Sequence, residues 1–382
     1  MRIKARGPLV FLGLLSAASL LAQDSPLPSG SISIKFPNDS PVLQSSTITN
    51  QSRTQARGAA MVIDLDVLLL LRNVGRSEIR GLTLRVVAQE VTLGGKGSMT
   101  YPSLHVAPGE TFPVSIAMQL VRPTQIATGP LVEVSLDGVL YRDLGFYGPD
   151  RLNSRRTLVA YEMEAQRDRG YLKRILEQRG AEGLRAAVMD VMQRQVDRPR
   201  LDARVLRGPA MTSAAVSAPQ TAAKFAFLQF PDSPVSPLSG WAQIAGNEVR
   251  APRVEVKNTS SSPVKYVELG WLVSDRTGRQ YMAASLPASD PELYLPPGKT
   301  ASVLGDTALR FSRQGQPVNV QRMTGFVSMV EFASGKVWVP NHQNLENADL
   351  LRVLAPSAEE ERLTDLYRKK GLNAVIDELQ KY

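Results

Sequence analysis

The sequence predicts a mainly β protein with α-helical segments, built as two duplicated antiparallel β-sandwich domains, each followed by a helical tail. Three observations predict it. Phe36-Pro37-Asn38-Asp39-Ser40-Pro41-Val42 returns as Phe230-Pro231-Asp232-Ser233-Pro234-Val235, and later landmarks recur in the same order. Between them, short runs alternate apolar and polar residues, with turn residues about every 8 to 12 positions, as sandwich strands do. Each strand-rich region is followed by an apolar stripe at helical spacing.

The chain opens with Arg2, Lys4 and Arg6, an apolar run from Pro8 to Leu15, and small residues from Ser16 to Ala22. This is the layout of a secretory signal peptide, here 1–22, with cleavage expected after Ala22 or, as the alternative, after Ala18. The run is shorter than the ~20 apolar residues of a membrane span, and no later run reaches that length. A periplasmic or secreted protein with no transmembrane span is expected. With no cysteine in 382 residues, stability must come from buried apolar surface rather than cross-links, and thiol nucleophiles, iron-sulfur clusters and cysteine zinc sites are excluded.

The first sandwich is placed at 31–150. Val67 to Leu71 is an unbroken apolar run, expected to be a central strand buried on both faces. Asn73-Val74-Gly75 forms a turn, Leu82, Leu84 and Val86 alternate through a strand, and Pro108-Gly109-Glu110-Thr111 reverses the chain. Asp137-Gly138, between Leu136 and Val139, reads as a hairpin. The second sandwich, at 224–350, repeats these marks. Arg253 to Lys257 alternates and ends at Asn258-Thr259-Ser260; Val267, Leu269 and Trp271 line up on Leu82, Leu84 and Val86; Pro297-Gly298-Lys299-Thr300 is the Pro-Gly turn; Ser334-Gly335 is the counterpart of Asp137-Gly138.

The run Val256-Lys257-Asn258-Thr259-Ser260, the strand Val267 to Asp275 and the turn Leu295 to Thr300 together resemble bacterial immunoglobulin-like envelope modules of the CARDB and FxLYD types. The resemblance implies an immunoglobulin-like sandwich and no activity. It departs at Gly270-Trp271-Leu272-Val273, where the FxLYD type has its name-giving residues.

Residues 151–197 form a basic helical segment, with Leu158, Tyr161, Ala165, Leu172, Ile175 and Leu176 on one face until Gly180, then a second stripe from Leu184 to Met192. The C-terminal helices, 357–381, begin at a capping box of Ser357 and Glu360, stop at Gly371 and restart at Leu372. Gly183-Leu184 pairs with Gly371-Leu372 in this scheme. Both stripes are expected to dock on the sandwiches, because short amphipathic helices are barely stable alone. Residues 198–223, rich in Ala, Ser, Thr and Pro from Pro209 onward, read as a flexible linker.

Charge is unevenly placed. Residues 23–150 hold 10 Lys+Arg against 11 Asp+Glu and residues 224–382 hold 18 against 17, whereas 151–223 hold 14 against 8. The excess is either a solvated helix face or a docking surface for an acidic partner or anionic polymer, formed by Arg155, Arg156, Arg167, Arg169 and Arg174. Nucleic acid is not an expected partner of an exported chain.

Clustered chemistry is sparse. His-Glu-x-x-His is absent, His105 precedes a turn where the second copy has Tyr294, and His342 sits in a polar loop, so both read as structural or surface histidines. Gly94-Gly95-Lys96-Gly97-Ser98 joins two strand-like runs and is a glycine hairpin, not a phosphate loop. Glu162 and Glu164 point in different directions on a helix and read as surface partners of Arg167 and Arg169. Asn38, Asn50 and Asn258 begin Asn-x-Ser acceptor patterns, which occur often by chance. Among Trp241, Trp271 and Trp338, Trp271 alternates with core residues and Trp241 is the one expected to be exposed.

The expected function is therefore a noncatalytic exported two-domain protein that mediates protein-protein interaction or assembly in the cell envelope, by surface docking or by adding a strand to an exposed sheet edge. Its partner would be another envelope protein; no cofactor and no metal are expected. The alternative is carbohydrate or anionic-polymer binding through Trp241, Tyr281, Tyr294 or the arginine segment. An enzyme is not expected, because titratable groups do not cluster in the sequence; a cleft holding paired carboxylates would reopen that class.

Overall fold

The structure, a computed structural model, describes residues 25–27, 30–124, 129–197, 199–207, 221–288, 292–305, 307–341, 350, 354 and 356–382. The segment read as a signal peptide and His342 lie outside the described residues. The protein is mainly β, with several sheets and few helices. No helix among the described residues is long and apolar enough to cross a membrane.

In the first half two five-stranded sheets enclose one core. The strand Ala60–Asn73 is the axis of one sheet. Thr111–Pro123 pairs along one of its edges, and Val42–Asn50 followed by Arg53–Arg57 along the other. Ile63, Leu65, Val67, Leu69 and Leu71 point inward and are buried, with Asp64 and Asp66 exposed between them, the period-two pattern of a half-buried strand. Val67 to Leu71 is thus central by pairing, but Leu68 and Leu70 on its outer face are only half-buried, which corrects the expectation of burial on both faces. The facing sheet sets Ile79–Val87 between Lys96–Tyr101 and Val132–Tyr141, with Ile32–Lys35 parallel to the last.

In the second half the strands form one continuous 12-stranded sheet folded on itself. The bridging element is Arg200–Arg207, which pairs antiparallel with Thr307–Arg313 and, at its start, parallel with Gln280–Pro287. Sequence had placed it in the 198–223 linker. Its alternation of Leu201, Ala203 and Val205 toward the core explains the correction. Thr221–Lys224 is also a strand, laid on Val235–Ala245. Trp271 is 0% exposed and fits because Gly325 opposite has no side chain; a Cβ there would sit 2.9 Å from its ring.

A buried asparagine ties the same corner in each half. The Asn73 side-chain amide donates to the Ser77 and Val106 carbonyls, both at 3.0 Å, and its oxygen accepts from the Gly75 N–H at 2.9 Å. Asn258 donates to the Ser262 and Leu295 carbonyls, both at 2.9 Å, and accepts from the Ser260 N–H at 2.9 Å. The Pro-Gly turns close on these residues through Gly109 N–H to the Asn73 carbonyl and Gly298 N–H to the Asn258 carbonyl.

Asp137-Gly138 is not a hairpin. Both residues lie inside the strand Val132–Tyr141, where the register shift between Thr83 and Leu84 leaves Asp137 unpaired as a bulge. Its buried carboxylate accepts from the Arg151 and Leu152 N–H groups and from the Ser154 hydroxyl, and so fixes the start of the long helix. Gly138 makes room for Phe146. Ser334-Gly335 does turn a hairpin, between Val320–Phe332 and Val337–Trp338, so its counterpart is the turn from Tyr141 to Gly145.

The helices are α1, Ser154–Asp197; α2, Ala358–Lys370; and α3, Leu372–Leu379. α1 breaks at Gly180 (φ 65°, ψ −166°) as the α2-α3 pair breaks at Gly371 (φ 81°, ψ −176°). Gly180, not Gly183, is therefore the glycine whose backbone geometry matches that of Gly371. The Ser357 hydroxyl accepts the Glu360 N–H as the capping box requires. The first turns of α1 dock on both halves: Leu158 and Val159 pack with Leu140 of the first half and with Tyr266, Met329 and Val337 of the second. Beyond them the two helical pairs pack on each other, through Leu172, Leu184 and Val188 against Leu363, Val375 and Leu379.

Candidate functional site at the junction of the halves

The arginines expected to form one docking surface are divided by the fold. Arg155 and Arg174 are exposed. Arg156 is buried, its guanidinium 3.6 Å over the Tyr266 ring, paired with Glu331 and, at 2.6 Å, with Glu292. Arg167 binds the adjacent Asp168 at 2.7 Å and donates to the Pro340 carbonyl at 3.0 Å. Arg169 is buried over the Tyr382 ring and pairs with Glu162 at 2.7 Å and Glu359 at 3.3 Å. Arg156, Arg167 and Arg169 are therefore internal ties and not a solvated face. Leu158-Val159-Ala160 carried the missed signal, since three consecutive apolar residues spread over about 200° of the helix circumference, wider than a single docked face needs.

Around Arg169 the first sandwich, α1, α2 and the C-terminus meet. Glu359 is fully buried and also takes Arg362 at 2.8 Å. Burial opposes its charge, but hydrogen bonds from Arg362 and His105 and the charges of Arg362 and Arg169 bring its carboxyl down to about 2. His105, from the first sandwich, stacks edge-on against Tyr382, whose hydroxyl lies 2.6 Å from the imidazole nitrogens, and contacts Arg80. Its role is thus packing and hydrogen bonding, as its place before a turn suggested. Glu162, expected at the surface, is 2% exposed within this cluster.

Glu164 leaves the opposite side of α1 and meets Glu268 of the second sandwich at a cavity of about 390 Å³. Burial pushes the Glu164 carboxyl up to about 7; Arg167 and Arg200 oppose the shift, and Asp168 and Glu268 add to it. Glu268 is raised as well, by burial, against the hydrogen bond from Tyr266 and the charge of Arg156. This juxtaposition of carboxylates was not visible in sequence, because the two residues belong to different halves and to no motif. Among the described residues, no group of three or more His, Asp or Glu is placed to hold a metal ion.

The aromatic surface is smaller than sequence suggested. Trp241 is 46% exposed, with the Arg253 guanidinium 6.0 Å from its ring, and Tyr294 is 73% exposed. Tyr281 is buried, its hydroxyl donating to Asp275 at 2.9 Å, and so leaves the list of candidate ligand contacts. Trp338 is half-buried and donates to Asp232 at 3.2 Å.

The strand Val42–Asn50 is exposed at every position after Val42. Leu43 is 45% exposed and Ile48 51%. One edge pairs with Ala60–Asn73, and no strand among the described residues pairs with the other. It carries neither charge nor proline, the usual guards of a free edge; its guards are two bulges, at Gln44/Ser46 and Thr47/Thr49.

No protein-family model and no curated protein matches the chain. Among solved structures, a Bordetella pertussis protein named as ApaA is similar at 14% identity, over 33% of this chain and 89% of that one, with a TM-score of 0.17. A beta-glucosidase from Kluyveromyces marxianus is similar at 10% identity, over 72% of this chain and 45% of that one, with a TM-score of 0.12. Neither likeness is close enough to bear on fold or activity.

Proposed function

We propose that this is a noncatalytic exported protein of two duplicated immunoglobulin-like sandwiches, each with a helical tail, that acts as an interaction or assembly factor in the cell envelope. The N-terminal layout of charge, apolar run and small residues supports export, and the paired asparagine corners support duplication. One observation carries the mode of action: Leu43–Asn50 is an uncharged strand whose outer edge has no partner among the described residues. An extended segment of an envelope protein adds to it there, main-chain hydrogen bonds giving affinity and the exposed Leu43 and Ile48 giving side-chain contact.

The test is affinity purification of the tagged mature protein from envelope extract. A discrete protein partner retained by Arg155→Glu/Arg174→Glu but lost from Leu43→Lys/Ile48→Lys supports strand addition. Loss in the arginine variant with retention in the edge variant refutes it in favour of basic-surface docking. The second reading, glycan or anionic-polymer binding, draws on Trp241 beside Arg253 and predicts retention by both variants but loss from Trp241→Ala.

A further inference from the structure

The cavity at the junction is walled by both halves, α1 and the start of α2. Thr100 comes from the first sandwich, Tyr161 and Glu164 from α1, Glu268 and Ser328 from the second sandwich, and Ser357 from the start of α2. Three of its polar side chains have no protein partner among the described residues. Glu164 and Tyr161 make no hydrogen bond or ion pair among the described residues. The Ser328 hydroxyl is buried without a partner, and Glu268 accepts a single hydrogen bond, from the Tyr266 hydroxyl at 2.8 Å. Arg200 also lines the cavity, where it is held by Glu361 at 3.2 Å and the Pro356 carbonyl at 3.0 Å, and the other nearby cations are engaged outside it, Arg156 with Glu331 and Glu292 and Arg167 with Asp168. Glu164, Tyr161 and Glu268 are half-buried along the cavity wall, and a buried polar atom without a partner, as the Ser328 hydroxyl is, is costly unless something fills the site.

We propose that this cavity binds an organic cation, whose ammonium or guanidinium group sits between Glu164 and Glu268 and whose remaining N–H donors reach the Ser328 hydroxyl and the Tyr161 phenol oxygen. An anion would meet two carboxylates, and a neutral apolar ligand would leave them unpaired. The volume of about 390 Å³ falls near the lower end of small-molecule sites, roughly 300–1,000 Å³, the size of a diamine or an arginine side chain rather than a nucleotide cofactor. The electrostatics agree. Glu164 faces Arg167 and Asp168 from its own helix, Arg200 from the following strand and Glu268 across the cavity, with Glu361 of α2 on the same wall paired to Arg200, and sits at about 7 because burial outweighs those cations. A bound cation favours its ionised form, so binding releases a proton and strengthens as pH rises through neutrality.

The test uses the mature full chain and titration calorimetry with two probes, agmatine and the tripeptide Gly-Arg-Gly, with the uncharged diacetylputrescine as control. The expected result is binding of at least one cationic probe, none of the control, and affinity about tenfold or more higher at about pH 7.5 than at about pH 5.5. Preference for agmatine identifies a free small cation, and preference for the tripeptide identifies a protein side chain. Glu164→Gln/Glu268→Gln weakens binding about tenfold or more, whereas Arg174→Glu leaves it unchanged. Should the double variant misfold, Thr157→Met, which fills the wall without altering charge, takes its place and abolishes binding in a protein with unchanged near-UV circular dichroism. No binding of either cationic probe at millimolar concentration, or binding that survives both cavity variants, overturns the proposal.

Discussion

The two halves close the same corner with the same asparagine and then finish the adjoining edge differently. In the second half, Thr221–Lys224 pairs with residues 241–244 of Val235–Ala245, and Phe225 N–H continues to the Gly240 carbonyl. In the first, Ser25–Pro26 covers only Arg53 and Thr54, and no strand among the described residues covers the outer edge of Leu43–Asn50, whereas in the second only Val235–Ser239 is so left. The asparagine corner and the core therefore do not dictate how the edge ends. A feature required by folding should recur in both halves, as Asn73 and Asn258 do; one that differs is available to function, as the bare edge is.

The largest effect expected is on the shared corner. Asn73→Ala and Asn258→Ala each strand two buried carbonyls and one N–H, so both should lower stability by about 3 kcal/mol in chemical denaturation. A large loss from one and none from the other would break the equivalence of the halves.

Nearly as large is the acid response of the clamp between them. Glu359 has its carboxyl at about 2 against an ordinary 4.5. A depressed carboxyl stabilises the fold above its unfolded value and loses that stabilisation as pH falls through the folded one. About 3 kcal/mol should therefore disappear between about pH 4.5 and pH 2, and Glu359→Gln should flatten that part of the stability profile. Glu164 has the opposite sign. Raised to about 7, it destabilises progressively as pH climbs from about 4.5 to 7, so Glu164→Gln should raise the thermal midpoint at pH 8 and leave it unchanged near pH 4.

Smaller still is the helix break. Gly180 and Gly371 have positive φ with nothing within 4 Å of a Cβ, so alanine at either costs only backbone strain, about 2 kcal/mol in this glycine-favouring region, and the two costs should match in thermal denaturation. The smallest effect sharpens the contrast itself: Leu43→Lys/Ile48→Lys should change stability by less than about 0.5 kcal/mol, because neither side chain is buried, while removing partner capture.

Local patterns in the sequence disclosed strands, turns and caps wherever the cause was local. The alternation of Leu82, Leu84 and Val86, the Ser357 cap and the burial of Trp271 all follow from near neighbours. What failed depended on distant ones. Asp137-Gly138 mimics a hairpin because the pair is chemically a turn; the helix start it holds lies 14 to 17 residues on. Arg156 and Arg167 looked solvated because Glu331 and Pro340, which bury them, lie 175 and 173 residues away. Glu164 and Glu268 form no motif and meet only when both halves fold. The alternation of Leu201, Ala203 and Val205 was present in the sequence but was outweighed by the Ala, Ser, Thr and Pro that follow.

The most direct measurement of the central claim is in-cell photo-crosslinking with a photoreactive residue placed singly at Ile48, Arg174 or Trp241. The strand-addition account predicts a discrete protein adduct from position 48, absent from positions 174 and 241. Adducts from 174 or 241 with none from 48 would contradict it.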